Sequence, residues 1–138
     1  MKFRKENGSY LVVLDKGDEV IASLTGLVQQ EKLEGGFIRG IGGVSNVTLG
    51  FFDLEKKEYS KKQFPGFYEL ASLVGDISLV DEKPFCHLHA VISDPQMNTF
   101  AGHLFFAEIS ITGEIAITPF NKTQRLFNKD LGLNLIRL

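Results

Sequence analysis

The chain has 138 residues, a formal net charge of −2 at pH 7 and one cysteine. That length suits a single domain, residues 1–138, with a core large enough to need no disulfide staple, and a lone cysteine builds neither a disulfide framework nor a Cys-rich zinc module. The slightly negative charge offers no general attraction to phosphate backbones, no apolar run is long enough to span a membrane, and no apolar stretch follows Met1-Lys2-Phe3-Arg4-Lys5-Glu6 as a signal peptide requires, so a reducing cytoplasm is the expected compartment.

Ser9-Tyr10-Leu11-Val12-Val13-Leu14 reads as a strand, and its near-continuous apolar run predicts that both faces are covered. Asp15-Lys16-Gly17 is a turn. Asp18 is placed to cap a helix, because its carboxylate can accept from the free amides of the first turn. Val20, Ile21, Leu24, Leu27 and Val28 follow at helical spacing and mark one buried face. Gly26 costs about 1 kcal/mol relative to alanine inside a helix. Gly35-Gly36 is expected to end the helix, with Lys32 in its last turn at the negative pole.

The remainder reads mainly as strand. Phe37 to Asp53 is extended, with a break near Gly42-Gly43, and a hairpin around Leu54-Glu55-Lys56-Lys57 leads to Glu58–Gln63. Phe64-Pro65-Gly66-Phe67 is expected to turn. Tyr68 to Leu79 holds strand with a kink or turn at Gly75-Asp76. Phe85 to Ser93 and Phe100 to Ser110 form a pair, a hairpin is expected around Thr112-Gly113, and Asn134 to Leu138 suits a last edge strand. One principal α-helix beside many consecutive strands predicts an α+β fold with a mainly antiparallel β-sheet.

All three histidines fall on one of these pairs: His87 and His89 in Pro84-Phe85-Cys86-His87-Leu88-His89-Ala90-Val91-Ile92, and His103 in Ala101-Gly102-His103-Leu104. Side chains alternate with period two, so His87 and His89 share a face. Cys86, Leu88, Ala90 and Ile92 make the opposite, apolar face, which should point into the core. A third imidazole from the returning strand would complete a tripod. Three neutral nitrogen ligands with an open fourth position suit an active zinc, and nickel, cobalt, copper or ferrous iron accept the same ligands. The bland alternative is a histidine cluster on a solvated or subunit-facing strand that binds nothing. Cys86 falls on the wrong face to be a fourth ligand. Asp94 and Glu108 are candidates to accept from imidazole N–H groups.

Gly40-Ile41-Gly42-Gly43-Val44-Ser45 lacks the Lys-Ser/Thr of a phosphate loop and precedes strand, so it reads as a bulge or bend rather than a nucleotide site. Lys56, Lys57, Lys61 and Lys62, interrupted by Glu55 and Glu58, read as a charged hairpin guarding a sheet edge, with a phosphate-contacting finger as the alternative. Arg39, in an otherwise apolar strand, is either one half of an ion pair or an anion clamp near the metal. Glu69 invites the same two readings, and Arg39 and Glu69 are the only catalytic candidates outside the histidines.

Gly40 to Asp53, Glu69-Leu70-Ala71-Ser72-Leu73-Val74-Gly75-Asp76-Ile77-Ser78, Pro84 to Asp94 and Ala101-Gly102-His103-Leu104, taken in order, resemble the PPC (plant and prokaryote conserved) domain over nearly the whole chain. The resemblance implies an α+β domain, usually a homotrimer, in which His87, His89 and His103 match a histidine triad reported as a metal site in some prokaryotic members. The fold is also similar to that of acetolactate decarboxylase, whose zinc is held by a comparable tripod; this admits a metal-dependent lyase or hydrolase without mapping that enzyme's other catalytic groups onto this chain. Plant relatives carry AT-hooks, and prokaryotic members are labelled DNA-binding by analogy. This chain has no AT-hook.

Residues and resemblance together predict a cytoplasmic, stand-alone homotrimer. Its His87, His89 and His103 would bind a divalent metal, zinc first, for use on or sensing of a small anionic or carbonyl-bearing ligand. The alternative is a DNA-binding regulatory protein, supported by the family label, the lysine hairpin and Lys2-Arg4-Lys5.

Overall fold

A computed structural model describes all 138 residues. Its elements in chain order are β1 (Lys2–Glu6), β2 (Ser9–Asp15), α1 (Val20–Gln30), β3 (Gly36–Asp53), β4 (Glu58–Val80), β5 (Lys83–Ser93), β6 (Thr99–Pro119), β7 (Gln124–Asn128) and β8 (Leu133–Arg137). The fold is α+β, with one helix and a mainly antiparallel sheet; only the contact of β4 with β7 at Leu79 and Gln124 is parallel. β3 pairs with both β4 and β6, and β5 also pairs with both, so these long strands close into a ring. The β1–β2 hairpin extends β6 on one flank, and the β7–β8 hairpin extends β4 on the other.

The first hairpin escaped the sequence reading, although Asn7-Gly8 carries its signal. Both residues have positive φ, 49° and 79°, as a two-residue primed turn requires. Its partner strand β2 corrects a second expectation. Tyr10, Val12 and Leu14 are buried, but Leu11 is 43% exposed, so this strand buries one face and not two.

The helix begins where expected with a different cap. Glu19, not Asp18, accepts from the amides of Ile21 and Ala22; Asp18 instead accepts from the Asp15 amide at 2.9 Å. The helix also stops earlier than predicted, at Gln30, and Lys32 lies past its end with φ of 54°. Val20, Leu24, Leu27 and Val28 form its buried face. They join one apolar cluster with the inward residues of the strands, among them Ile38, Val44, Leu73, Ile77, Leu88, Ile92, Ile109 and Ile117. Burying such side chains stabilises by roughly 1.5–3 kcal/mol each before the entropy of ordering them.

Three predicted turns are strand interior. Pro65 and Gly66 lie within β4, where the register shifts from Ser45↔Phe67 to Val47↔Phe64. Two residues there oppose Asn46 alone, a bulge that tolerates proline because the ladder is already interrupted. At Gly113 β6 continues unbroken. This glycine faces Gly42 across the ladder, and a Cβ on it would come 2.9 Å from Ile109 and 3.3 Å from Leu14, so its role is close packing. Gly75 is likewise no turn: a Cβ there would lie 1.9 Å from the backbone oxygen of His87. Glycine at this position lets β5 lie against β4 directly behind the histidines.

Candidate metal centre

Alternation along β5 works as its sequence predicts. Cys86, Leu88, Ala90 and Ile92 are all buried on the helix side, while His87 and His89 leave on the other face. The tight return through Asp94–Asn98 then sets β6 beside β5 so that His103 pairs directly with His89. Asp94 makes that return by accepting from the amides of Gln96 and Asn98, both at 2.9 Å. It is therefore occupied as a turn residue, and the backbone of Glu108 pairs with that of Glu19 at the start of the helix. Neither is hydrogen-bonded to an imidazole.

The three imidazoles meet. Their ring centroids are 5.2 Å apart for His87 and His89, 5.1 Å for His87 and His103, and 5.4 Å for His89 and His103. One potential ligand nitrogen from each lies within 4.8 Å of the others. Tyr59 and Phe105 wall the His103 side, with ring centroids 5.0 Å and 4.8 Å from that imidazole. Lys61 places its ammonium 3.8 Å from the centroid of Phe105.

Burial, and then repulsion from His87, His89, Arg125 and Lys61, pushes the His103 pKa down to about 4. His89 is lowered by burial and by His87. Both rings are therefore neutral near pH 7, as metal ligands must be. The Nδ1 atom of His103 is buried with no hydrogen-bond partner in the protein. A buried nitrogen stripped of water and left unpaired costs free energy, and a cation shared by the three rings would relieve that cost if Nδ1 is the atom it takes. The donor set thus fits a divalent cation. Cys86 does not join it: burial pushes its thiol up to about 11, against a weaker opposing hydrogen bond with Thr25.

Behind His87 stands a group the sequence reading missed. Asp76 is the register partner of His87 across β4 and β5, and its Oδ2 lies 3.4 Å from His87 Nδ1. Burial alone would raise the Asp76 pKa, but hydrogen bonds with His87, Arg125 and Ser78, together with the Arg125 charge, hold it below its ordinary value. Arg125 reaches both carboxylate oxygens from β7, at 2.8 and 3.0 Å. A carboxylate at an outward strand position beside the histidine strand was the available signal for Asp76. Nothing local marked Arg125.

Neither Arg39 nor Glu69 is hydrogen-bonded to a histidine of the triad; Arg39 pairs with Val74, which in turn pairs with His89. Arg39 lines a shallow depression with Ser72, Val74 and Glu114, and Glu69 lines its neighbour with Ile41, Ile111 and Glu114. Neither has an ion-pair partner within 4.0 Å.

The sequence profile of the Plants and Prokaryotes Conserved (PCC) domain matches residues 1–121. The chain belongs to the PCC domain family. Among solved PCC-like structures, a metal-containing protein from Archaeoglobus fulgidus is 34% identical, with 98% of each chain covered and a TM-score of 0.86. A protein from Bacteroides thetaiotaomicron, described as a candidate DNA-binding protein, is 30% identical, covering 99% of this chain and 96% of its own, at a TM-score of 0.96. Acetolactate decarboxylase from Bacillus subtilis subspecies spizizenii shares the fold alone, at 16% identity and a TM-score of 0.59, with 87% of this chain and 57% of the enzyme covered. No curated protein matches the sequence.

Proposed function

We propose that this PCC-domain protein binds a divalent metal through His87, His89 and His103 and uses it on, or in sensing, a small anionic or carbonyl-bearing ligand. The convergence of three imidazole donors from two strands to within 4.8 Å carries the reading. The unpaired His103 Nδ1 and the metal-containing relative from Archaeoglobus fulgidus support it. Zinc is the first choice because a set of three histidines with an open position suits it. When bound, such an ion supplies Lewis acidity toward a carbonyl or acidifies water, the chemistry of a metal-dependent lyase or hydrolase.

The chain's own groups set what can approach. Burial raises the Tyr59 pKa, against a smaller lowering by Arg125, so its hydroxyl stays protonated and can donate to a ligand oxygen. Lys61, over Phe105 at the rim, favours an anionic ligand. The reading includes a cytoplasmic homotrimer. Phe37 is 64%, Ile41 56%, Val74 51% and Ile111 64% exposed, an apolar face that subunit contact would cover.

Elemental analysis of protein purified without a histidine tag tests the metal. About one ion per chain is expected under the tripod geometry, lost in His89→Ala. Sub-stoichiometric metal unchanged by that substitution refutes the reading.

The second reading is DNA binding, favoured by the description of the Bacteroides thetaiotaomicron relative and by Lys56, Lys57, Lys61 and Lys62 on the β3–β4 hairpin. Lys56 is 3.9 Å from Asp53, and Lys61 and Lys62 lie over aromatic rings. The cationic surface is therefore partly engaged within the chain. Phosphate contacts make binding fall steeply with salt; no mobility shift at either low or physiological salt ends this reading.

A further inference from the structure

Beyond residue 121, where the family match ends, the chain returns to the histidine site. Arg125 on β7 is buried, and each of its three nitrogens donates. Nε donates to Ser78 Oγ at 2.8 Å, Nη1 to the Asn134 carbonyl at 3.1 Å, and Nη2 to the two oxygens of Asp76 at 2.8 and 3.0 Å. Its guanidinium lies 5.8 Å from the centroid of Phe85. Ser78 Oγ also donates to Asp76 Oδ1 at 3.0 Å. The carboxylate is thus held by two side chains and cannot turn away from the neighbouring imidazole.

His87 Nδ1 faces both members of this pair, with Asp76 Oδ2 at 3.4 Å and Arg125 Nη2 at 3.1 Å. The two contacts exclude each other. If Nδ1 carries the ring proton, it donates to Asp76 and leaves a lone pair on Nε2. If Nδ1 accepts from Arg125, the proton sits on Nε2 and that atom cannot ligate a cation.

We propose that Asp76, locked in place by Arg125 and Ser78, is a positioning residue that selects the Nδ1–H tautomer of His87 and so decides whether the triad can take a metal ion. The consequence for metal rests on the function proposed above; the tautomer is a property of the metal-free protein. Arg125 acts in two opposed ways. It orients the carboxylate, and it is the donor that would impose the wrong tautomer if the carboxylate were absent. The C-terminal hairpin is then part of the site's machinery, supplying both Arg125 and the Asn134 carbonyl that steadies it.

The test compares full-length wild type with Asp76→Ala and with Asp76→Ala/Arg125→Ala. Imidazole nitrogen NMR on the metal-free proteins, at about pH 8 where ordinary imidazoles are neutral, reads the tautomer directly. The expected result is Nδ1–H at His87 in wild type and Nε2–H in Asp76→Ala. Zinc affinity should fall roughly 10–100-fold in Asp76→Ala, as for other groups that orient a metal-binding histidine, and recover in part when Arg125 is also removed. A merely structural loss would worsen with the second substitution. Should Asp76→Ala fail to fold, Asp76→Asn takes its place and is expected to raise the Nε2–H share. One unchanged tautomer across the folded proteins, or Nε2–H in wild type, overturns the proposal. Wild type that binds no metal while its tautomer responds as expected would sink the proposed function and leave the positioning role standing.

Discussion

His89 and His103 are register partners across β5 and β6, and their rings stand almost perpendicular, at 86° with centroids 5.4 Å apart. Direct pairing brings side chains on the same face of neighbouring strands close together. A slip of one residue would turn one ring to the other face. The tripod therefore depends on the return through Asp94–Asn98 as much as on the histidines themselves, because that turn sets the register.

The depressed pKa of His103 predicts an acid-labile metal-free state. Above the ordinary histidine value of 6.5 the ring is neutral in both folded and unfolded chains and contributes no pH dependence. As pH falls from 6.5 toward about 4, the unfolded chain takes up a proton that the folded chain refuses, so stability decreases across that window. Below it the loss is complete. The lowered carboxyl of Asp76 acts in a more acidic range, its contribution disappearing as pH drops below 3.8 and through its folded value. Urea midpoints of metal-free protein across the first window should fall with acidification, and His103→Gln should flatten the slope.

Two glycine substitutions should have opposite signs. Gly75→Ala forces a Cβ to 1.9 Å from the His87 carbonyl oxygen, and β4 and β5 must separate to admit it. A loss of about 3 kcal/mol or more is expected in chemical denaturation, with metal affinity reduced because the backbone of His87 moves. Gly26→Ala meets nothing within 4 Å in the helix and should stabilise by about 0.4–1 kcal/mol.

Cys86 should prove chemically quiet. Its burial and its thiol pKa of about 11 leave little thiolate near neutrality. Alkylation by iodoacetamide at about pH 8 should be far slower in folded protein than in urea, since an ordinary thiol titrates near 8.5. Cys86→Ala should leave bound metal unchanged in elemental analysis. Loss of metal in a folded Cys86→Ala protein would instead make the thiol a ligand.

The exposed apolar face formed by Phe37, Ile41, Val74 and Ile111 should respond to charge as a subunit interface does. Val74→Arg together with Ile111→Arg should convert the proposed trimer to monomers in sedimentation experiments, because an unpaired charge in a desolvated contact costs several kcal/mol. Monomeric wild type at micromolar concentration would dismiss the interface.

Much of this fold is legible along the chain because the controlling patterns are short. The helix shows in Val20, Leu24, Leu27 and Val28, and the face shared by His87 and His89 follows from period-two alternation in β5. Boundaries read less well. Glycine and proline suggest turns at Gly66, Gly75 and Gly113, yet all lie inside long strands. The same residues serve bulges and close backbone contact, and composition does not distinguish those uses from a turn. Asp18 lost the helix cap to Glu19 by one position, because either carboxylate can reach free amides at that helix end.

By itself the sequence determined that His87 and His89 leave the core together, that Cys86 does not, and that one helix accompanies a mainly antiparallel sheet. These follow from local alternation and spacing. Only the tertiary structure decided that His103 would face His89, that Asp76 would stand behind His87, and that Arg125, 49 positions farther along, would clamp that carboxylate. Strand pairing is a relation between distant segments, set by bulges, turns and the packing of the whole ring, and no short window of residues contains it.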